Sequence, residues 1–312
     1  MELRQLRYFV TLAEELHFGR AAAREHIVQS ALSQQIQRLE RELGIALVER
    51  NTHHVRLTQS GSVFVVEARK ILSHIERAVA AVGTATTTNS TIRVAVGDIS
   101  FNTISRVLGA VRERHPGFEI YQIEAGVPEQ YRFLAEGRID IGIGRAALAP
   151  VSVASAVIRL DPMGVLVGDG HRFSGLDSIA VKDLADEPLL FAAEDRAPEF
   201  NLFVGELCRT AGFTPRIYSE TAHSMWCAAE LVRERRCLAC APRSCGPVPG
   251  IRWLPLADPT SHYPWSLLWR SGAENETEPV RWVLRCAREL SAELGWTDGP
   301  DAGTTAAVVV GD

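Results

Sequence analysis

The 312-residue sequence predicts a chain in three parts: a helical head with a helix-turn-helix and a wing, a long amphipathic helix, and an α/β body. Three observations lead there. Apolar residues recur at helical spacing through residues 3–43, with short breaks. A seven-residue apolar repeat then runs from Phe64 to Val82. From Thr91 onward, short apolar strands alternate with amphipathic helices, the pattern of parallel α/β layers.

LRQLRYFVTLAEEL places Tyr8, Phe9, Leu12 and Leu16 on one face of a first helix. GRAAAREH forms a second, whose Ala21, Ala22 and Ala23 are small enough to let it approach its neighbours closely. Ile27, Val28 and Gln29 make a turn, and Ser30 is placed to cap a third helix, SALSQQIQRLEREL. In that helix Leu32, Ile36, Leu39 and Leu43 form one buried stripe, and Gly44 ends it. Two helices joined by so short a turn make a helix-turn-helix, whose second helix can enter a major groove. LVERNTHHVRLT follows as two short extended pieces around a polar tip, a wing.

The outward face of the third helix shows Ser33, Gln34, Gln37, Arg38 and Arg41. A solvated surface face usually favours Glu and Lys in pairs. This one offers amides, a hydroxyl and guanidinium forks, the groups that read base edges. A plain surface helix in an arginine-rich chain stays as the competing reading. Charge leans toward DNA: residues 1–90 hold 11 basic and 9 acidic residues with five histidines, whereas residues 91–312 hold 22 basic and 29 acidic. A mildly basic head on an acidic body suits a DNA-binding module joined to something that does not touch DNA.

From Thr58 to about Val82 a longer helix carries Phe64, Ala68, Ile71, Ile75, Ala78 and Val82 at coiled-coil spacing. With polar residues over much of its other face, it reads as a two-stranded dimerisation helix. GTATTTNST is a linker. The body then reads as strand TIRVAVG, helix SRVLGAVRERHPG, strand FEIYQIEAG, helix PEQYRFLAEGR and strand IDIGIG. A second block holds MGVLVG, LLFAA, helix FNLFVGELCRTAG, strand PRIYSET, helix SMWCAAELVRER and CLACAP. Strand SLLWR and helix PVRWVLRCARELSAEL close the fold. The last residues, 297–312, are expected to be a disordered tail.

The N-terminus carries charges too early for a signal peptide, and no apolar run approaches the roughly 18 residues of a membrane span. The expectation is a cytoplasmic protein, not an enzyme, without membrane partners, whose six cysteines stay reduced.

Residues 3–61, with AAAREHIVQSALSQQIQRLERELGIALVERNTHHVRLTQSG, resemble the N-terminal domain of LysR-type transcriptional regulators. The pieces A-A-x-x-x, S-x-x-I-x-x-L-E, L-G-x-x-L and L-T-x-x-G, at these spacings, make the resemblance specific, and with the α/β body it spans nearly the whole chain. It implies a winged helix-turn-helix over 1–58, a dimerisation helix and hinge over 59–90, and a two-lobed α/β effector domain over 91–296 resembling periplasmic binding proteins (type 2). Lobe I would hold about 91–160 and 267–296, and lobe II about 161–266. The partners implied are promoter DNA, a small-molecule effector, RNA polymerase, and further copies of the chain in dimers and tetramers. No cofactor or metal is implied. Ligand closing the lobes would alter the spacing of the DNA heads and the bend they impose.

On this resemblance Gln29, Ser30, Ser33, Gln34 and Gln37 are candidates for base edges or nearby phosphates, and Arg38 for either. Arg50, His53 and Arg56 on the wing are phosphate or minor-groove candidates, which position without specifying sequence. Gln34 stands where many members have a basic residue, which exchanges a guanine contact for an adenine-competent amide.

Ligands bind at strand ends and between lobes, which selects Asp98, Ser100, Asn102, Thr103, Val127, Arg145, Pro198, Phe200, Asn201 and His223 as effector-site candidates. Ser100 and Thr103 equally suit simple helix capping. EGRIDIGIGR and APEFN are similar to the branch that senses aromatic-degradation intermediates such as muconate, and an aromatic or dicarboxylic acid is the implied ligand. In that branch Arg145 and Arg159 match positions near a second, more buried site. Val127 replaces an expected threonine and His223 an expected glutamate, while Asp98 brings a negative charge to the entrance. RERRCLACAP has Arg235 and Cys237 where the family commonly has glycines, so the turn there must form without them.

Gly142, Gly144 and Ala147 mimic a dinucleotide fingerprint, but Pro150 and an extended segment follow instead of a helix. Cys237, Cys240 and Cys245 could form a redox or metal sensor behind the same DNA head, though no histidine completes a zinc set there. His53 and His54 suit phosphate or solvent better than metal. A solute-binding protein is opposed by the N-terminal head. No G-x-S-x-G, H-E-x-x-H or P-loop is found.

Overall fold

The computed structural model of the chain describes residues 1–50, 55–84, 91–97 and 100–298. The expected wing tip with His53, residues 85–90 of the linker, Asp98 and the tail from residue 299 lie outside the described residues. Gly83 and Thr84 of the expected linker continue the long helix, and Thr91 opens the first strand of the body. Contacts group the chain into two units, Met1–Thr88 with Ala135–Arg138, and Asn89–Leu134 with Ile139–Asp312.

In the first unit, α1 (Leu3–Glu15) starts with a reciprocal capping box between Glu2 and Gln5, in which the Glu2 amide donates to Gln5 Oε1 at 2.7 Å. α2 (Phe18–Arg24) is capped by His17, whose Nδ1 accepts from the Gly19 and Arg20 amides at 3.0 and 3.2 Å. α3 (Gln29–Leu43) begins after Val28 in extended conformation, and no side chain caps it. Ser30 is therefore inside the first turn with its side chain exposed, rather than at the cap that its residue type suggested. Phe9, Leu12, Ala21, Leu32, Ile36 and Leu39 are fully buried together, which fixes α3 against α1 and α2. Ala21 and Ala22 make the close approach, whereas Ala23 faces out and Leu43 is only half-buried.

Glu40 ties α3 to the wing: its Oε1 accepts from the Leu47 and Val48 amides at 2.9 and 3.1 Å. β1 (Val48–Arg50) and β2 (Val55–Leu57) pair antiparallel. Thr58 Oγ1 donates to the Ala46 carbonyl at 2.8 Å and accepts from the Gly61 amide at 2.9 Å, capping α4 (Gln59–Thr84). Ala68 on α4 is buried and Phe64 half-buried, while Ile71 of the heptad stripe is exposed.

The second unit is a two-lobed α/β body. β3 (Thr91–Val96) and β4 (Glu119–Glu124) pair in parallel, and Ile141, just before β5 (Gly142–Gly144), bridges to Val94. The segments expected as VSVASAVI and MGVLVG are one 16-residue strand, β6 (Val153–Gly168). Its first half pairs with β12 (His262–Arg270), and its second half with β10 (Ala239–Pro242) and β11 (Ile251–Ala257), so β6 passes from one lobe to the other. β11 has no counterpart among the expected strands, because Pro255 interrupts its sequence pattern. Pro255 sits where pairing hands over from β6 to β7 (Ile179–Ala180), so its missing amide costs little. In the second lobe β8 (Pro188–Ala192) and β9 (Arg216–Ala222) pair in parallel, and Leu238 bridges to Leu189.

Helices return over these strands: α5 (Phe101–Arg114) after β3, α6 (Val127–Ala135) after β4, α7 (Pro198–Thr210) after β8 and α8 (Met225–Arg233) after β9. The short α9 (Ala273–Glu276) leads into α10 (Glu278–Glu293), which packs on the first lobe with Ser291 Oγ donating to the Ile158 carbonyl at 2.7 Å. The turn before β10 is made by Arg235, whose φ of 58° occupies the left-handed region that the missing glycine would have taken.

Candidate functional site

Burying the Leu32–Ile36–Leu39 stripe leaves the opposite side of α3 to solvent. Gln29, Ser30, Gln34, Gln37 and Arg38 are exposed there and Ser33 is half-buried, so the expected row is presented on one helix face. Arg38 is less free than the glutamines. Its Nε donates to Glu42 at 2.9 Å and its Nη2 lies 3.7 Å from Glu2, which draws it back along the helix. On the wing, Arg56 is exposed opposite Glu49. The backbone of Arg50 is in β1, and His53 lies outside the described residues.

In the body, four strand-to-helix junctions meet around one cavity of about 840 Å³ including its mouth. Gly97 and Ser100 come from the β3–α5 junction, and Ala125 to Val127 from β4–α6. Ala192, Arg196, Ala197, Glu199 and Phe200 come from β8–α7, and Ala222 to Met225 from β9–α8. Ligand sites form at such crevices because the carboxyl ends of parallel strands leave a gap between helix starts. Leu190, Phe191, Ile143, Cys240 and Trp265 make the rest of the wall largely apolar. Gly126 is required: a Cβ there would stand 2.7 Å from the backbone of Asp195 and Arg196. The two lobes are stitched at this point by the Val127 amide donating to the Arg196 carbonyl at 2.9 Å, and by Arg196 pairing with Glu124 at 2.6 Å.

Of the predicted effector residues, Ser100, Val127, Phe200 and His223 line the cavity. The others are placed elsewhere, each with a physical reason. Asn102 Nδ2 donates to the Ser244 carbonyl at 2.7 Å, and Thr103, fully buried, accepts from Arg159 Nη1 at 3.3 Å. Asn201 is spent on the end of β8, accepting from the Ala192 amide and donating to its carbonyl, both at 2.9 Å. Pro198 starts α7 with its fixed φ and is not on the wall. Arg145 points behind the wall, pairing with Glu206 at 3.0 Å and lying 5.2 Å over the Phe203 ring. Arg159 pairs with buried Asp161 at 3.3 Å, and burial holds its guanidinium below its ordinary range. Asp161 also accepts from the Trp265 indole at 3.1 Å.

Sequence reasoning missed Glu199. It is 2% exposed, lines the cavity, and its Oε2 has no hydrogen-bond partner. Burial pushes its carboxyl up to about 7, against smaller opposing effects from its own backbone amide and Arg145. Behind it Tyr263 is fully buried among Phe200, Phe203 and Trp265, at ring distances of 5.3, 5.2 and 4.8 Å. The signal available was the P-E pair opening a helix, which places an acid at the second helical position; its burial could not be read from that.

In the cysteine cluster Cys237 and Cys240 are buried and Cys245 is half-buried, whereas Cys227 on α8 is exposed. Cys237 and Cys240 are 3% and 8% exposed, and burial pushes them up to about 11 and about 12. Cys245 is likewise raised to about 11. A sensing thiol needs the opposite environment, open and electropositive. Among the described residues no group of three metal-ligating side chains is found.

Residues 3–62 match the family model described as bacterial regulatory helix-turn-helix protein, lysR family, and residues 85–292 match the LysR substrate binding domain. The chain is similar to the HTH-type transcriptional regulator BenM of Acinetobacter baylyi, 31% identical over 306 residues that cover 96% of this chain and 100% of the relative. Its fold matches the crystal structure of CbnR, a LysR family transcriptional regulator, with a TM-score of 0.75 at 24% identity, covering 93% of this chain and 99% of that one. Full-length CbnR complexed with its target DNA matches with a TM-score of 0.73 at 25% identity, again over 93% and 99%.

Proposed function

Because the chain belongs to the LysR family of DNA-binding transcriptional regulators, we propose that its head reads a promoter through α3 and that a small molecule in the body's cavity adjusts how the DNA is held. The observation that supports this most directly is the exposed row Gln29, Ser30, Gln34 and Gln37 over a fully buried Leu32–Ile36–Leu39 stripe. The amides and hydroxyls reach base edges, while Arg56, Arg50 and His53 on the wing hold phosphates or the minor groove. Arg38 joins them by exchanging its exposed contact with Glu42 for a phosphate, at little cost because such pairs are worth at most about 1 kcal/mol.

The apolar α4 stripe, with Ile71 exposed in one chain, would pair with a second copy, and dimers would assemble to tetramers that contact RNA polymerase. Effector bound between the lobes would change their closure, and through it the spacing of the heads and the DNA bend. A thiol-based sensor is the weaker reading, since Cys237, Cys240 and Cys245 are held as neutral thiols. Among the described residues no helix is long and apolar enough to cross a membrane.

The test is a mobility-shift and footprint assay on DNA just upstream of the protein's own gene. A protected, interrupted palindrome spanning several helical turns supports the reading. Absence of protection even at low salt, where phosphate contacts alone should hold, overturns it.

A further inference from the structure

The two helices of the helix-turn-helix begin differently. α2 has a side-chain cap, His17 Nδ1 accepting from the Gly19 and Arg20 amides. α3 has none. Its boundary residue is Val28, extended at φ −77° and ψ 146°, whose carbonyl accepts from the Ala31 and Leu32 amides at 3.0 and 3.2 Å. Ser, Thr, Asn and Asp are preferred at a helix start because their side chains accept from its first free amides, and valine is among the residues least suited to the place.

Nor does this valine serve the core. Ile27, one residue earlier, is half-buried and packs against the buried cluster of the head, whereas Val28 is 68% exposed. The chain thus keeps an exposed, β-branched apolar side chain at a helix end where a polar one would fold better. Val28 adjoins Gln29 and Ser30, both exposed, at the end of α3 whose residues meet base edges when such a helix lies in a major groove.

Base edges in the major groove present hydrogen-bond donors and acceptors, and among them the C5 methyl of thymine is the apolar feature. A phosphate or a polar base edge facing Val28 would lose water without gaining a partner. A thymine methyl gains an apolar contact, and β-branching already restricts the rotation of the valine side chain that makes it.

We propose that Val28 is a specificity-determining residue whose methyl groups cover the C5 methyl of a thymine, so that each half-site carries an A·T pair opposite the start of α3. This rests on the reading that α3 enters the major groove of promoter DNA. It adds to the amide row a position selected by apolar contact: the glutamines recognise hydrogen-bonding groups, and Val28 recognises a group that forms no hydrogen bond. The poor cap at α3 is the stability given up for that contact.

The experiment uses the full-length protein and the operator protected in the footprint, with each thymine replaced in turn by deoxyuridine. That replacement deletes the methyl and leaves every hydrogen-bonding group in place. In the wild type one thymine per half-site should be sensitive, each replacement weakening binding about fourfold, the effect of returning one methyl-sized group to water. Val28→Ser should erase the sensitivity at those positions, and Val28→Ile should retain it. Val28→Ser should also unfold at a slightly higher temperature, because serine caps α3; lost discrimination is then not lost folding. Insensitivity at every thymine, sensitivity that persists in Val28→Ser, or a lowered unfolding temperature for that variant overturns the proposal. The two levels fail separately. Absence of any protected operator overturns the reading of α3 and the role of Val28 with it, whereas a protected operator bound equally well with uracil overturns the role of Val28 alone.

Discussion

Gly61 lies directly against the Leu47 carbonyl: a Cβ on residue 61 would drive into that oxygen, which belongs to backbone and cannot swing aside. The glycine of the L-T-x-x-G motif is thus the point where the first turn of α4 closes on the strand entering the wing. Gly61→Ala is expected to destabilise the head by about 1–3 kcal/mol or more through overpacking. Thermal unfolding of the full chain would show it as an earlier transition, with DNA affinity lost in parallel. An unchanged transition would mean that α4 can slide to make room.

At Gln34 the prediction concerns specificity. It is exposed mid-way along α3, with no side-chain hydrogen bond among the described residues, so Gln34→Ala should leave stability within about 0.5 kcal/mol. It should cost roughly 1–3 kcal/mol on the cognate site, and much less on random DNA. Competition binding against both DNAs checks this, and equal losses would reassign Gln34 to phosphate.

Arg235 adopts a left-handed backbone with its side chain exposed. Glycine takes that conformation without penalty, though it also loosens the unfolded chain. Arg235→Gly should therefore stabilise the body by about 0.5–1 kcal/mol in urea titration. Destabilisation would show that the Arg235 side chain contributes more than its exposure suggests.

Glu199 makes stability depend on pH. Burial pushes its carboxyl up to about 7 in the folded protein, well above the ordinary carboxylate range, so the folded state holds its proton more tightly than the unfolded one. The stability this contributes is complete below about 4.5 and is lost as pH rises through about 7. Glu199→Gln should remove that decline, matching wild type near pH 5 and exceeding it by on the order of 2 kcal/mol near pH 8. Parallel pH profiles for the two proteins would refute the assignment.

For the cysteines, burial predicts silence. At about pH 7.5, iodoacetamide should label exposed Cys227 well before Cys208, Cys237, Cys240 or Cys286 in the native protein. Peptide mapping over time reads this directly. Early labelling of Cys237 or Cys240 would revive the thiol-sensor reading.

Local pattern was enough for much of this molecule. The step of four, three and four through Leu32, Ile36, Leu39 and Leu43 forces one side of α3 inward, and the glutamines between them outward, because a helix turns every 3.6 residues. The same logic placed the wing, α4 and most of the alternating body. Pattern failed where one local rule had several solutions. Serine at position 30 is a good cap, yet Val28 takes the boundary because the turn from α2 is already closed by backbone hydrogen bonds such as the Ile27 amide to the Ala22 carbonyl, 3.0 Å.

The sequence by itself determined most of the elements, their order, the family and the amide-rich face of α3, since periodicity and spacing act over one or two turns. It did not determine β11 or the continuity of β6. Tertiary structure alone decided which strand ends meet. Asn102, Thr103 and Asn201 were drawn into holding backbone and neighbouring side chains, while Glu199, one position from a predicted residue, was buried at the cavity wall with one carboxylate oxygen left without a hydrogen bond. The reason is geometric: adjacent helical residues point about 100° apart. Only the packing of α7 against two lobes chooses which of them faces the ligand's space.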